Sequence, residues 1–335
     1  MKKLTAALLC TAMMMGGCAS SDTTTTTTGS DSESSAASYK VAVVKQLDHA
    51  SLDEIADAIT AELDAIAKEN NVTIEYEVYS GQNDATTLKQ IGDQAVADDV
   101  DAIIPIATLA AQTMTACAED TKTPVVFAAI SDPETAELTG IDYVTGTSDA
   151  LNTEQLIEMM LAQNPDMTKV GLLYSKSESN SASSIAQAKE ILEEKGIEYV
   201  EVTGNTNDEV IAAAASLIAE GVDAVFTPTD NVVMAAELSI APEFIEAGIP
   251  HYTGADSFVR NGAFATLGVN YTDLGTKTAD YAYEAMTNGM DGLEDYYVMD
   301  GGIVTVNTET ASALGLDYSM FSDFGTVSEV VTTEE

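Results

Sequence analysis

Cysteine is scarce in this chain, with Cys10, Cys18 and Cys117 the only three among 335 residues. Cys10 falls in an N-terminal apolar run and Cys18 closes it, so Cys117 alone remains for the folded part, where no disulfide can form. Histidine is rarer still, with only His49 and His251. That inventory excludes a zinc site of the usual kind, and neither a metal nor a cofactor is expected. Cys117 lies in an alanine-rich helical stretch and reads as a small buried filler.

Basic side chains are few as well. Lysine and arginine number 13 against 55 acidic residues, for a formal charge of −42, and Arg260 is the one arginine. Nucleic acid is excluded as a partner, because its recognition needs cations to replace released counterions. An anionic lipid surface is excluded on the same ground. Beyond the N-terminus no run reaches the roughly 18 apolar residues of a membrane-spanning helix.

Catalytic signatures are missing too. The chain has no Gly-x-Ser-x-Gly elbow, no phosphate loop ending in Gly-Lys-Ser/Thr, and no glycine-rich dinucleotide fingerprint after its first strand. His49 has Asp48 and Ser51 as neighbours, but side chains adjacent on one loop do not make an oriented triad. His49 is expected to contact a ligand or cap its loop, and no enzyme is expected.

What is present begins with an export signal over residues 1–17. Met1-Lys2-Lys3 is followed by the apolar stretch Leu4 to Met15 and then Gly16-Gly17-Cys18. The segment Met15-Gly16-Gly17-Cys18 resembles a bacterial lipobox, which makes Cys18 a lipidated residue anchoring the chain outside the cytoplasm to the cell membrane. Residues 18–38, nearly all Ser, Thr, Asp, Glu, Ala and Gly, have nothing to bury and read as a tether.

From Tyr39 onward, short apolar runs alternate with segments of helical period, the pattern of an α/β chain with parallel sheets. Strands are expected at Val41–Val44, Val72–Tyr79, Asp101–Pro105, Val125–Ile130 and Ile141–Val144. A second set is expected at Val170–Tyr174, Ile197–Val202, Ala224–Thr227 and Ile249–Thr253. The two sets match residue by residue. Val100-Asp101-Ala102-Ile103-Ile104 answers Val222-Asp223-Ala224-Val225-Phe226, Ile74-Glu75-Tyr76 answers Ile197-Glu198-Tyr199, and Lys40-Val41 answers Lys169-Val170. One doubly wound lobe is used twice.

In open parallel sheets ligands bind beyond the carboxyl ends of the strands, against the exposed N–H groups of helix starts. Here those exits carry small polar residues. The first half supplies His49, Gln82, Thr108, Ser131 and Asp132; the second supplies Asn180, Ser181, Asp230, Asn231 and Asp256. Thr108 and Asp230 occupy equivalent positions of the repeat. Two such edges facing each other would line a cleft that closes over a solute.

The ordered motifs His49-Ala50-Ser51-Leu52-Asp53, Ala107-Thr108-Leu109-Ala110-Ala111-Gln112, Ser131-Asp132-Pro133, Thr145-Gly146-Thr147-Ser148, Glu178-Ser179-Asn180-Ser181 and Pro228-Thr229-Asp230-Asn231 carry a family resemblance. Together they resemble ABC-type substrate-binding proteins related to the bacterial tryptophan/tyrosine-binding lipoproteins. The resemblance implies a periplasmic-binding-protein-like type I fold, with two lobes joined by a three-strand hinge and a ligand cleft between them. By that analogy residues 39–147 and 255–292 form the N-terminal lobe, 148–254 and 293–327 the C-terminal lobe, and 328–335 an acidic tail. It also implies an ABC permease and an ATPase as partners.

The implied solute is an aromatic amino acid; another small polar solute (nucleoside, nucleobase or sugar) and a sensing role feeding a signalling receptor stay open. For an amino acid, Asp230 is the expected acceptor of the ammonium, with Asp256 or Asp132 next. Thr108, Ser131 and Ser181 are expected to donate to the carboxylate, and a two-bond grip by Arg260 is a lesser alternative. Tyr79, Phe127, Tyr174, Tyr252 and Phe258 are candidates for an aromatic wall. A monomer is expected, since a closing cleft needs no second subunit.

Overall fold

The structure, a computed structural model, describes residues 37–333. The expected signal, Cys18, and the tether up to residue 36 lie outside the described residues. The first half alternates strand and helix as far as β4, which β5 follows without a helix between: β1 (Ser38–Lys45), α1 (Ala50–Asn70), β2 (Thr73–Ser80), α2 (Ala85–Ala97), β3 (Ala102–Ile106), α3 (Thr108–Cys117), β4 (Val125–Phe127) and β5 (Val144–Ser148). The second repeats the order: α4 (Thr153–Gln163), β6 (Lys169–Tyr174), α5 (Ser181–Lys195), β7 (Glu198–Thr203), α6 (Asn207–Glu220), β8 (Ala224–Thr227), α7 (Asn231–Ala247), β9 (His251–Thr253), α8 (Asp256–Arg260) and β10 (Ala265–Gly268). Then come α9 (Tyr271–Asn288), β11 (Tyr297–Val298), β12 (Ile303–Asn307), α10 (Thr308–Leu314) and β13 (Thr326–Val330).

These strands form two sheets, ordered β11-β5-β4-β3-β1-β2 and β13-β12-β10-β9-β8-β6-β7. All paired neighbours are parallel except β10 and β12. Parallel strands covered on both faces need apolar side chains on both. In β1, Val41 and Val43 enter the core under α1, while Ala42 and Val44 enter the core under α2 and α3.

The internal repeat reappears as identical register. Lys40 lies opposite Glu75 and Lys169 opposite Glu198; Val41 lies opposite Ala102 and Val170 opposite Ala224. Even the strand starts are tied alike. Asp101 Oδ2 accepts from the Lys40 amide and Asp223 Oδ2 from the Lys169 amide, each at 2.8 Å.

The chain crosses between sheets after β5, between β10 and α9, and between β11 and β12. This corrects the expected lobe boundaries. The return to the first lobe comes at 269 instead of 255, because β10 is bonded to β9 and stays in the second sheet. Residues 297–298 belong with the first sheet through β5. At the ends, Ser38 already pairs with Thr73, and Ser328 to Val330 pair with β12 where an acidic tail was expected.

α9 lies against α1 at close range because Gly275 has no side chain. A Cβ there would meet Ala58 Cβ at 2.6 Å and the Ile55 carbonyl oxygen at 2.7 Å. Cys117, expected to be buried, is half-buried; its sulfur packs over Gly92, where a Cβ would come within 2.7 Å.

Candidate functional site

The strand exits of the two sheets face one another across a tight cavity, with about 380 Å³ of space outside protein atoms when the part open to solvent is included. From the first lobe come the β1–α1 loop (His49, Ser51), the β3–α3 turn (Ala107, Thr108), the β4 exit (Ala129, Ser131) and Asp149 beyond β5. From the second come Asn180, Thr229, Asp230 and Asn231. Leu52, Ile55, Met234, Ala255, Phe258 and Tyr271 supply the apolar wall.

Two wall residues hold backbone angles that side chains rarely adopt. Ala107 has φ 75° and ψ 163°, and Ala129 has φ 56°. Both stand where a strand turns into the cavity, and strain of this kind concentrates at ligand clamps.

The lobes are bonded to each other around this space. Ser131 and Thr229 hydroxyls lie 2.8 Å apart, His49 Nε2 is 3.0 Å from Asn231 Oδ1, and Gln46 Nε2 donates to Glu178 Oε1 at 2.9 Å. The Ser51 and Ser257 hydroxyls also meet.

Of the residues expected from sequence, His49, Thr108, Ser131, Asn180, Asp230, Asn231 and Phe258 line the cavity. Asp230 does not have the role expected of it. Its Oδ1 accepts from the amides of Val232 and Val233 at 3.1 and 3.0 Å; its Oδ2 accepts from the Ser175 amide and the Ser181 hydroxyl, both at 2.7 Å. A carboxylate has about four lone-pair sites, and all are taken. Asp230 is the N-cap of α7 and the knot that ties the second lobe's loops.

Other expectations are also corrected. Ser181 is occupied by Asp230 and does not line the cavity. Asp132 caps its own turn, accepting from the Thr135 amide and hydroxyl. Gln82 is exposed in a turn at φ 52°. Tyr174 donates to Glu201, Tyr79 sits at the rim of the first lobe's core, and Phe127 and Tyr252 are core residues. Arg260 is held by Glu54 and Asp256, and neither Arg260 nor Asp256 lines the cavity.

Asp149 and Tyr271 were not anticipated. Asp149 is 6% exposed, accepts from Ser131 Oγ at 2.9 Å and from the Tyr271 hydroxyl at 3.0 Å, and has no cation opposite it among the described residues. Burial pushes its carboxyl above the ordinary value, against the pull of those two hydroxyls. Since Ser131 donates to Asp149, Thr229 must donate to Ser131, so a chain of hydroxyls from both lobes ends on this carboxylate. Ser131 is thereby removed from the expected carboxylate donors. Thr108 remains, and its own N–H at the start of α3, where the N-cap residue Ala107 offers no side-chain acceptor, is one of the orphan donors of that helix.

The cavity can thus hold a small polar solute: one acceptor carboxylate, helix-start donors, and an apolar and aromatic side. Among the described residues, no hydroxyl that lines it is hydrogen-bonded to a histidine.

Comparison with known proteins agrees. A tyrosine-binding protein of Clostridioides difficile is 27% identical over 281 residues, covering 82% of this chain and 81% of that protein. The structure of an ABC domain in complex with L-Trp from Streptococcus pneumoniae matches with a TM-score of 0.79 at 25% identity, covering 88% of this chain and 100% of that one. The ligand-free, open structure of a substrate binding protein from Clostridium difficile matches with a TM-score of 0.66 at 26% identity, covering 88% and 100%. The family model for ABC transporter substrate binding proteins matches residues 40–320. The chain therefore belongs to the ABC transporter substrate-binding protein family, of the periplasmic-binding-protein-like type I fold, whose members are non-catalytic solute receptors.

Proposed function

We propose that this receptor of an ABC importer captures an aromatic amino acid in the interlobe cavity. The observation that carries the reading is Asp149, a buried carboxylate without a protein cation, set in a cavity whose apolar side includes Phe258 and Tyr271. An ammonium group supplies the missing charge, and an aromatic side chain suits that wall. The ligand carboxylate is met by the Thr108 hydroxyl and the N-terminus of α3, since no lysine or arginine lines the cavity. The tyrosine-binding relative and the tryptophan-bound neighbour support the same solute class. The closer match to the tryptophan complex than to the ligand-free, open structure, at similar identity, agrees with lobes that are bonded together.

Titration calorimetry with L-tyrosine, L-tryptophan and L-phenylalanine tests this directly. Saturable heat is expected with at least one of them; heat only with a sugar or nucleoside would replace the ligand class.

The same reading includes export and lipid attachment at Cys18, with the Ser/Thr-rich stretch that follows as a tether. Fatty-acid labelling that persists after Cys18→Ser would refute it. A permease and an ATPase of the same system are the expected partners. The same reading takes the receptor to act as a monomer.

A further inference from the structure

Behind the cavity wall runs a chain of buried amides and one carboxylate whose orientation is set from a single backbone group. A backbone N–H can only donate, and that of Leu109 is bonded to Gln46 Oε1 at 3.0 Å. The Gln46 amide is therefore oriented. Its Nε2 faces Asn83 Oδ1 at 3.0 Å and, across the cleft, Glu178 Oε1 at 2.9 Å.

Glu178 is buried on the loop before α5, and its Oε2 accepts from Asn231 Nδ2 at 2.7 Å. A carboxylate accepting on both oxygens leaves the Asn231 amide one orientation, with Oδ1 toward His49 Nε2 at 3.0 Å. Only an N–H suits that oxygen, so Nε2 carries the ring proton. Burial lowers the pKa of His49 and keeps the ring neutral, with one N–H in all. Its Nδ1 is then a bare acceptor. That atom is buried and has no hydrogen-bond partner among the described residues, and His49 lines the cavity.

We propose that the Gln46–Glu178–Asn231 chain fixes the tautomer of His49, so that in the shut cleft Nδ1 is an acceptor reserved for an N–H or O–H of the bound solute. Glu178 and Asn231 are positioning residues; His49 makes the contact. This deepens the receptor reading and rests on it. The donor is either the ammonium of an amino acid or a side-chain group such as a phenol or an indole N–H. A solute lacking a donor at that point leaves a buried acceptor unpaired, which is a basis for rejecting it.

Glu178→Gln inverts the logic. The amide oxygen of the new side chain must face Gln46, its NH₂ faces Asn231, and Asn231 then turns its own NH₂ toward His49. Nε2 loses its proton and Nδ1 gains one.

The tautomer is readable without ligand in a protein held shut. Because the Ser51 and Ser257 hydroxyls meet across the cleft, the pair Ser51→Cys and Ser257→Cys supplies an oxidisable lock. Nitrogen-15 spectra of the locked protein at about pH 8, where Glu178 is ionised, are expected to give His49 as Nε2–H, and the same protein with Glu178→Gln as Nδ1–H. In the unlocked protein, Glu178→Gln is expected to weaken L-tyrosine binding tenfold or more while the melting temperature holds. A loss confined to L-tyrosine marks a side-chain donor, and an equal loss with L-phenylalanine marks the ammonium.

Nδ1–H in the locked parent, one tautomer in both locked proteins, or unchanged L-tyrosine affinity in the unlocked variant would overturn the proposal. Tautomer inversion without any amino-acid binding would uphold the chain and remove the amino-acid reading alone.

Discussion

The Tyr271 hydroxyl donates to Asp149 Oδ2 at 3.0 Å, and the two residues stand at the ends of different crossings between the lobes. A ligand cation seated on Asp149 therefore bears on the hinge as well as on the cleft. The same residue links the lobes through Ser131 and Thr229. In the proposed reading, closure and charge recognition meet at one carboxylate.

Asp149→Asn should separate binding from folding. The amide removes the charge that an ammonium requires, so amino-acid affinity is expected to fall by about 2 kcal/mol or more, the scale for leaving a buried charge unpaired. Burial holds the parent carboxyl above its ordinary value, so its loss should lower the melting temperature little. Calorimetry and thermal unfolding on the same preparations check both. A collapse of stability with unchanged affinity would make Asp149 a hinge residue only.

Asp230→Ala is expected to act the other way. It strands the buried amides of Ser175, Val232 and Val233 and the Ser181 hydroxyl, and it uncaps α7. The cost is expected to be about 3 kcal/mol of stability, from cap loss and unmet donors. Urea unfolding measures it. Near-parental stability with abolished binding would return Asp230 to the ligand set.

Ala107→Gly should stabilise the protein. The alanine sits at φ 75° and ψ 163°, a region open essentially to glycine alone. Relief of strain on the order of 1–3 kcal/mol outweighs roughly 0.5–1 kcal/mol of added chain entropy. A rise of about 1 kcal/mol in unfolding free energy is expected, and a fall would show that Ala107 stores no strain.

The duplicated lobe was legible because its signals are local. Lys40-Val41 and Lys169-Val170 begin equivalent strands, and Asp101 and Asp223 tie them identically. β5 was misread for the opposite reason. Its Thr145 and Thr147 look like loop residues, yet both are buried because distant partners satisfy them: the Glu294 carbonyl and the Thr278 hydroxyl, each at 2.7 Å.

The strand exits pointed to the cavity, and several of its residues were visible there. Their division of labour was not. Nothing local distinguishes Asp149 among 55 acidic residues, since its isolation from cations is a property of the folded cleft. Asp230 carried the ordinary signature of a helix cap, and a cap is what it is.

The acid–base behaviour of the shut molecule gives the last test. Burial, with the Asp230 carboxylate nearby, pushes Glu178 up to about 7 from an ordinary 4.5. Asp230 has four donors against two on Glu178, so the first proton taken up goes to Glu178. Around His49, at the other end of the chain, lie Asp48, Asp53 and Lys45. A folded-state acid raised in this way contributes stability that is full below its unfolded value and is lost as pH rises through its folded value. Locked protein should therefore lose stability between about pH 4.5 and 7 relative to its Glu178→Gln counterpart, which has no proton to release there. Carboxylates held below their ordinary values, such as Asp48 and Asp223, tilt both proteins the other way and cancel in the difference. Unfolding of the two locked proteins at pH 5 and pH 8, read as a difference, isolates Glu178; a difference that does not change between those values (about 5 and 8) would mean that Glu178 stays ionised throughout.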